Sequence, residues 1–310
     1  IEPESDLSKS FDLPEGEVSK YAVSEVDPHE KEIIQSPAPV KAVESTPAKD
    51  LKKGKDSKSA ATKPSIDQVP VPSAKSSTLT KFTYPEDYPE LFKDYDKKSK
   101  EVWAQSKPIY IEGEKFHFDA KYVGILAGHV TIETKPLVKV NQKVAYRYYT
   151  KLVSAKYYSF VYDLNDYIES YIAKDTFLPI KYTLIQRESK QSVDDLQVFD
   201  HEKRQTHSFY KRLKNGVEKS EKKTSYLPEY FQDSFSALMF ARSLPLTLGK
   251  VYEFPVVTRG KVWLLKFTAQ AKETIKIHGE YHKAIRVNAE THFPGVLKKR
   301  GDILFWYSDD

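Results

Sequence analysis

The strongest constraint on the fold is an alternation of polar and apolar residues that recurs along residues 109–310. An alternation of period two places successive side chains on opposite faces of a β-strand. Turn residues separate the alternating segments roughly every 8 to 12 positions, and Asn215 followed by Gly216 is typical of a hairpin turn. The segments do not alternate with helices, which disfavours a parallel sheet. The pattern predicts a mainly β fold, in which a curved antiparallel sheet forms a sandwich or a half-open barrel.

Two segments show helical spacing instead. Between residues 84 and 105, apolar residues recur three or four positions apart, and Pro108 follows. A second segment begins at Asp233 or Ser234, either of which suits an N-cap, and stops before Pro245. We therefore expect one N-terminal helix and one helix inserted among the strands.

The first 80 residues differ in composition from the rest. They contain 9 of the 18 Pro, only two aromatic residues and a net charge of −3, whereas residues 81–310 carry +8. A segment with so few apolar groups buries too little surface to offset the entropy of ordering. The prediction is a disordered arm over residues 1–80 that acts as a tether, a helical lead-in over 81–108 and a β-rich domain over 109–310.

Both ends of the sequence suggest a piece of a longer chain. The sequence begins with Ile1 rather than Met, and its last residues have the pattern of a strand that stops at Asp310. We expect the natural protein to continue past Asp310. A signal sequence or lipid anchor is expected to lie upstream of Ile1.

Known catalytic patterns are missing. The chain has no Cys, which excludes disulfides and thiolate metal sites. His278 and His282 have the spacing of a helical metal site, but they flank a predicted turn between strands, where that spacing loses its meaning. No nucleophile motif and no phosphate-binding glycine loop is found. We expect no catalytic residues, no metal ligands and no cofactor, and therefore a protein that is not an enzyme.

Cationic side chains cluster in two places within the β-rich region. Such clusters, interleaved with Tyr and Phe, can bind nucleic acid, anionic lipid head groups or acidic glycans. The alternative is an ordinary solvated surface of Lys-rich hairpins, and nucleic acid is the disfavoured ligand. The candidate basic patch comprises Lys211, Arg212, Lys214, Lys222, Lys223, Lys298, Lys299 and Arg300.

Tyrosine is the most unusual component, with 21 copies that mostly fall on predicted strands. Each combines a large apolar face with a hydroxyl that needs a partner. On a concave sheet such residues suit a groove for sugar rings, acyl chains or a partner's strand, whereas on a convex sheet they reflect β-propensity alone. The candidate ligand-binding residues are Tyr146, Tyr148, Tyr157, Tyr158, Tyr167 and Tyr171.

The order of several short motifs between residues 109 and 310 resembles a known family. In chain order these are Gly124-Ile125-Leu126-Ala127-Gly128, Asp166-Tyr167-Ile168-Glu169-Ser170, Leu178-Pro179, Asp200, Pro228, Asp233-Ser234-Phe235-Ser236-Ala237-Leu238, Arg242-Ser243-Leu244-Pro245-Leu246, Gly249, Pro255-Val256 and Phe305-Trp306-Tyr307-Ser308-Asp309-Asp310. They resemble the bacterial cell-envelope family known as domain of unknown function thirty-one-oh-eight. The resemblance implies secreted, periplasmic or lipoprotein-like proteins with a curved, mostly antiparallel β body, and it supplies no catalytic residues.

These observations predict a non-enzymatic binding or scaffold protein of the bacterial envelope. The arm would tether a β-domain that contacts a partner protein, a glycan or a lipid, in the periplasm or at the outer membrane. The cations are compatible with contact at a membrane surface. One alternative is a periplasmic lipid or lipoprotein carrier with an apolar cavity, and another is a subunit of a larger envelope machine.

Overall fold

The computed structural model describes Leu7, Phe11 and residues 15–27, 82–292 and 302–308 of the chain. The helices in this part are α1 (Glu15–Lys20), α2 (Glu90–Trp103) and α3 (Ser236–Arg242). The protein is mainly β, with curved antiparallel sheets of half-barrel form. Its strands are β1 (Val23–Glu25), β2 (Lys115–Tyr122), β3 (Ile125–Val140), β4 (Lys143–Ser154), β5 (Asn165–Ala173), β6 (Pro179–Glu188), β7 (Gln191–Asp200), β8 (Gln205–Lys214), β9 (Val217–Tyr226), β10 (Gln232–Asp233), β11 (Val251–Thr258), β12 (Lys261–Ile277), β13 (Glu280–His292) and β14 (Asp302–Ser308).

Nine strands form the larger sheet, in the order β1, β3, β4, β5, β6, β7, β8 and β9, with β2 also paired to β3. From β2 to β9 each strand pairs antiparallel with the next one along the chain. This order arises because short turns join neighbouring strands. Asn215 and Gly216, for example, have φ of 51° and 76° and join β8 to β9. The last strand, β9, carries exposed side chains along most of its length.

The smaller sheet contains five strands, in the order β10 to β14. β10 pairs in parallel with β11, whereas the other neighbours are antiparallel. β12 and β13 form a long hairpin whose register shifts between Ala269 and Ala271. Such a bulge bends a hairpin, and most residues between Gln270 and Lys283 are exposed or half-buried.

An aromatic core lies where α2 and α3 pack on the strands. The ring centroid of Trp103 is 4.1 Å from that of Phe240, and Phe254 packs edge-on against Phe240 at 4.9 Å. The start of α3 is fixed by Asp233, whose Oδ1 accepts the main-chain N–H of the two residues at 235 and 236 at 2.8 and 2.7 Å. Ser170 of β5 donates to Oδ2 of Asp233 at 2.6 Å. Asp233 therefore links the larger sheet to the smaller one.

The predicted mainly β fold and the two predicted helices are confirmed. Part of the predicted arm differs from the expectation, because residues 15–27 form α1 and β1, and Leu7, Phe11, Tyr21 and Val26 are buried. These apolar side chains are too widely spaced to give a local period, and distant strands bury them. The remainder of the predicted arm lies outside the described residues.

Within the residues that the structure describes, no helix combines the length and the hydrophobicity that crossing a bilayer requires.

Candidate functional site

One face of the larger sheet is covered by Leu7, Phe11 and residues 15–27, which we call the N-terminal strap. Phe11 packs on Phe209 of β8, with ring centroids 5.8 Å apart. Tyr21 belongs to the same buried cluster. The sheet residues beneath the strap, which we call the strap-facing surface, are Val138, Val140, Ala145, Tyr171, Ala173, Ile180, Ile185, Leu196, Val198 and Phe209.

Strand register explains why this surface is apolar. Leu196 of β7 lies opposite Phe209 of β8, and Val198 follows two residues later on the same face. Gln197, between them, points to the other face, where its Oε1 accepts the main-chain N–H of Arg259 at 2.7 Å. The central strands of the larger sheet are therefore buried on both faces, by the smaller sheet on one side and by the strap on the other.

The strap also extends the larger sheet by one short strand. β1 pairs antiparallel with the end of β3, from Val23 opposite Val140 to Glu25 opposite Val138. β2 pairs with an earlier part of β3, up to Glu133. β1 therefore fills a length of the β3 edge that β2 leaves open. Pairing of this kind is the β-augmentation by which several domains bind extended peptides.

Two lysines of the sheet hold the strap by its main chain. Nζ of Lys181 on β6 donates to the carbonyl oxygen of Tyr21 at 3.2 Å. Nζ of Lys222 on β9 donates to the carbonyl oxygen of Phe11 at 2.9 Å. Every peptide unit offers a carbonyl acceptor, so these two bonds do not depend on the side chains that the strap carries.

A third contact joins the strap to Asp200, at the end of β7. Nζ of Lys20 lies 2.8 Å from Oδ2 of Asp200, and Oδ1 accepts the main-chain N–H of Glu202 and Lys203 at 3.1 and 3.0 Å. Burial opposes ionisation, but the bonds from Lys20 and from the Lys203 main chain hold the pKa of Asp200 below its ordinary value. The carboxylate is therefore ionised at neutral pH and attracts the Lys20 cation.

A charged network lies beside these contacts. Nε and Nη2 of Arg147 donate to Oε1 of Glu169 at 3.0 and 2.5 Å, and the Tyr171 hydroxyl donates to Oε2 at 2.8 Å. Nζ of Lys181 is 6.0 Å from the Tyr171 ring centroid. Burial raises the pKa of Tyr171 well above its ordinary value, so its hydroxyl stays protonated.

The six predicted ligand-binding tyrosines do not share one surface. Tyr171 belongs to the strap-facing surface, and Tyr167 packs against its margin. Tyr146 and Tyr148 occupy alternate positions that face the other way, and both are buried. The remaining two lie between β4 and β5, within residues 155–164. A single solvent-facing aromatic row is therefore not formed, because the core takes up three of the six rings.

The predicted basic patch is also divided. Lys222 contacts the strap, whereas its neighbour Lys223 points away, and Nζ of Lys223 donates to the carbonyl of Gly260 at 3.4 Å. Nζ of Lys211 is 3.3 Å from Oε2 of Glu218 across the hairpin. Successive residues of a strand face opposite sides, so cations that are adjacent in sequence separate in space. Arg212 and Lys214 also lie on β8, and Lys298, Lys299 and Arg300 lie outside the described residues.

A cavity of about 410 Å³ lies beside α2, β9 and β12. Its lining includes the apolar side chains of Leu91, Phe92 and Val262, together with Lys223 and Lys261. The cavity is separate from the strap-facing surface, because Lys223 is directed away from the strap. The described part of the chain holds no cluster of His, Asp and Glu suited to a metal ion.

Of the two lysines that hold the strap, Lys222 belongs to the predicted basic patch, whereas Lys181 was not identified from the sequence. Lys181 is a lysine within an otherwise apolar strand start, and such a residue is rarely buried without a partner. Phe11 and Tyr21 are the only aromatic residues among the first 80. The lysine and the two aromatic residues are the sequence features that could have indicated the contact. The bond between Lys181 and Tyr21 joins residues 160 positions apart, which no local pattern reveals.

Comparison with known proteins gives one match. A family model described as "Protein of unknown function (DUF3108)" matches residues 117–310. No curated protein and no solved structure matches the chain. The matched region includes every sheet residue of the strap-facing surface, whereas the strap itself and α2 precede it.

Proposed function

The chain belongs to the DUF3108 family of proteins of unknown function, and we propose that its β-domain is a non-enzymatic polypeptide-binding module. The strap-facing surface accepts an extended segment of a partner protein, and the strap is the occupant that this segment replaces. The observation that carries the proposal is the pair of lysine bonds, from Lys181 and Lys222, to main-chain carbonyls of the strap.

Main-chain recognition supports a polypeptide ligand over a glycan or a lipid. The β1 pairing and the two lysine bonds all engage peptide groups, which any extended segment supplies. Preference for a particular segment then comes from the apolar contacts, such as that of Phe11 on Phe209. A partner segment would combine spaced aromatic or aliphatic anchors with a cation placed to meet Asp200.

Replacement of the strap is supported by the way it is connected. The 56 residues 28–83 separate it from the rest of the domain. Covalent attachment through a segment of this length gives the attached strap an effective concentration of about a millimolar. A partner segment that binds more tightly, or that is held nearby, can therefore displace the strap without unfolding the sheet.

The cellular setting forms part of the same proposal. In a bacterial envelope, in the periplasm or at the outer membrane, residues 28–83 would act as the tether and the domain would dock on a partner of that compartment. The partner is a protein with an exposed terminal or loop segment, because an extended segment is the shape that the surface accommodates.

A competition experiment tests the proposal. The full chain and its Phe11→Asp/Tyr21→Asp variant are titrated with a fluorescently labelled peptide of residues 7–27, and binding is followed by anisotropy. The variant weakens the attached strap, so we expect the free peptide to bind it at least about tenfold more tightly than it binds the wild type. Circular dichroism confirms that the variant keeps its sheet content.

Two neighbouring lysines give a matched control. In the strap-weakened variant, Lys222→Gln removes a bond to the peptide main chain, and its affinity should fall about fivefold. Lys223→Gln, on the opposite face, should leave the affinity unchanged. Equal effects of the two substitutions, or the same peptide affinity for the wild type and the strap-weakened variant, would contradict the proposal.

A further inference from the structure

Six large apolar side chains are exposed at one end of the larger sheet. Val123 at the β2–β3 turn is 83% exposed, and Phe160 in the β4–β5 connection is 92% exposed. Single exposed apolar residues are ordinary, but a contiguous group marks an interaction surface. We call this group the apolar tip, and it comprises Tyr122, Val123, Ile125, Tyr157, Phe160 and Val161.

The two segments of the apolar tip are joined to each other. The main-chain N–H of Ala155 donates to the carbonyl of Ala127 at 2.9 Å, and the Tyr157 hydroxyl donates to the carbonyl of Leu126. Within the connection, the N–H groups of Ser159 and Tyr162 each donate to the carbonyl four residues back, at 3.0 Å. The apolar side chains are therefore displayed by hydrogen-bonded turns rather than by a frayed loop.

Val123 adds a separate indication of function. Its φ is 49°, and Gly124 after it has φ of 78°. A turn with two positive φ angles favours Asn or Gly at its first position, and a β-branched residue is strained there. An exposed valine at this apex stabilises neither the turn nor the core. We therefore infer that Val123 serves in contact with another molecule.

We propose that the apolar tip binds the surface of an anionic lipid bilayer. Lys121 and Lys156 flank the apolar side chains and are exposed, and Asp163 is the one acidic residue in segments 121–125 and 155–164. Aromatic and aliphatic side chains between lysines suit the interface of a membrane, where rings enter the head-group region and ammonium groups meet lipid phosphates. The side chains project from turn apices, a shape that enters a bilayer more readily than it fits a protein groove.

Vesicle flotation of the full chain provides the test. We expect the wild type to float with vesicles that contain phosphatidylglycerol and to remain behind with pure phosphatidylcholine vesicles. Each of Val123→Ser and Phe160→Ser should lower the partition coefficient about tenfold, since each withdraws one large apolar group from the interface. Val217→Ser provides the matched control, because Val217 is an exposed valine, 70% accessible, on the lysine-rich β8–β9 hairpin.

A second pair of variants keeps the test decisive if the serine variants misfold. Lys121→Glu and Lys156→Glu should each lower binding to anionic vesicles more than fivefold, with smaller losses at high salt. Absence of flotation by the wild type, or an equal loss in Val217→Ser, would overturn the proposal. It would also be overturned if the serine variants converted a dimer into a monomer while vesicles bound neither form. The strap-weakened variant should float as the wild type does, so the two proposals fail separately.

Discussion

At the scale of single residues, Asp195 of β7 is a carboxylate in an apolar setting. Its side chain is almost fully buried, and Nε of Arg259 lies 3.4 Å from Oδ2. Burial raises the pKa of Asp195 to about 6, although Arg259 and Gln197 oppose the rise. The folded protein therefore binds this proton more tightly than the unfolded chain does, and protonation of Asp195 favours folding.

Replacing Asp195 by Asn should remove this pH dependence. The contribution of the carboxyl group is full below its ordinary pKa of 3.8 and is lost as the pH rises through about 6. Between pH 7 and pH 4 the wild type should gain about 2 kcal/mol of unfolding free energy relative to Asp195→Asn. Urea unfolding at both pH values measures the difference. Asp194→Asn serves as the control, with an expected effect below about 1 kcal/mol, and a pH-independent difference for Asp195→Asn would contradict the assignment.

Residues with a local role could be predicted from the sequence. Asn215 and Gly216 form the predicted turn because positive φ is a property of the dipeptide itself. Tyr171 and Lys222 were among the candidate binding residues, but the strap residues that they contact could not be predicted. Period two tells which residues of a strand share a face, and it does not tell what covers that face.

At the scale of elements, the guanidinium group of Arg204 holds α2 against the sheet through two ion pairs. Nη1 of Arg204 is 3.0 Å from Oδ2 of Asp96, and Nη2 is 2.7 Å from Oε2 of Glu229. Oδ1 of Asp96 accepts the main-chain N–H of Glu229 at 2.5 Å. Burial raises the pKa of Asp96 to about 6, so the pair is still ionised at pH 7. Arg204 thus joins α2 to the segment that follows β9.

Asp96→Ala should weaken the attachment of α2 and lower the stability of the protein. The substitution removes the carboxylate that faces Arg204 and leaves the N–H of Glu229 without its acceptor. Loss of one partner from a buried ion pair destabilises by about 3 kcal/mol, measured by urea unfolding at pH 7. Lys93→Ala breaks the exposed contact with Glu90 on the same helix and should change stability by less than about 0.5 kcal/mol. Equal losses of stability in the two variants would mean that the ion pairs of Arg204 do not hold α2.

The same scale shows which elements local sequence determines. α2 and the hairpins of the larger sheet carry their own periodicity, so their positions could be predicted. α1 has six residues and β1 has three, and a helix or strand that short is not stable alone. The sheet edge and the strap-facing surface supply the missing stability, which is why the prediction of a structureless arm failed there.

At the scale of the whole molecule, one compact unit is built from two parts of the chain, residues 1–27 and 84–310. The fold class followed from residues 109–310 alone. The N-terminal strap, which covers the second face of the larger sheet, could not be predicted. Its contacts with the sheet join residues on the two sides of the 56-residue segment 28–83. The strand pattern therefore outlines the strap-facing surface of the candidate site, whereas only the tertiary structure shows that the N-terminal strap occupies it.

Cutting the chain between the two parts should convert the strap into a dissociable ligand. A site-specific protease sequence placed between Gly54 and Lys55 allows cleavage of the otherwise intact protein. After cleavage the strap fragment should co-elute with the body at high concentration and separate on dilution, because covalent attachment no longer maintains a millimolar effective concentration. Size-exclusion chromatography with mass spectrometry follows the separation. A fragment that leaves the body at every concentration would show that the strap contacts do not amount to binding.

The exposed strand β9 has a consequence for the concentrated protein. Among the described residues, no strand pairs with the outer edge of β9, and in other proteins such an edge templates fibrils. Its solvated side chains include Glu218, Lys219 and Glu221. A second sheet laid against this edge would have to desolvate these charges. These charges therefore oppose the edge-to-edge pairing by which open sheets grow into filaments.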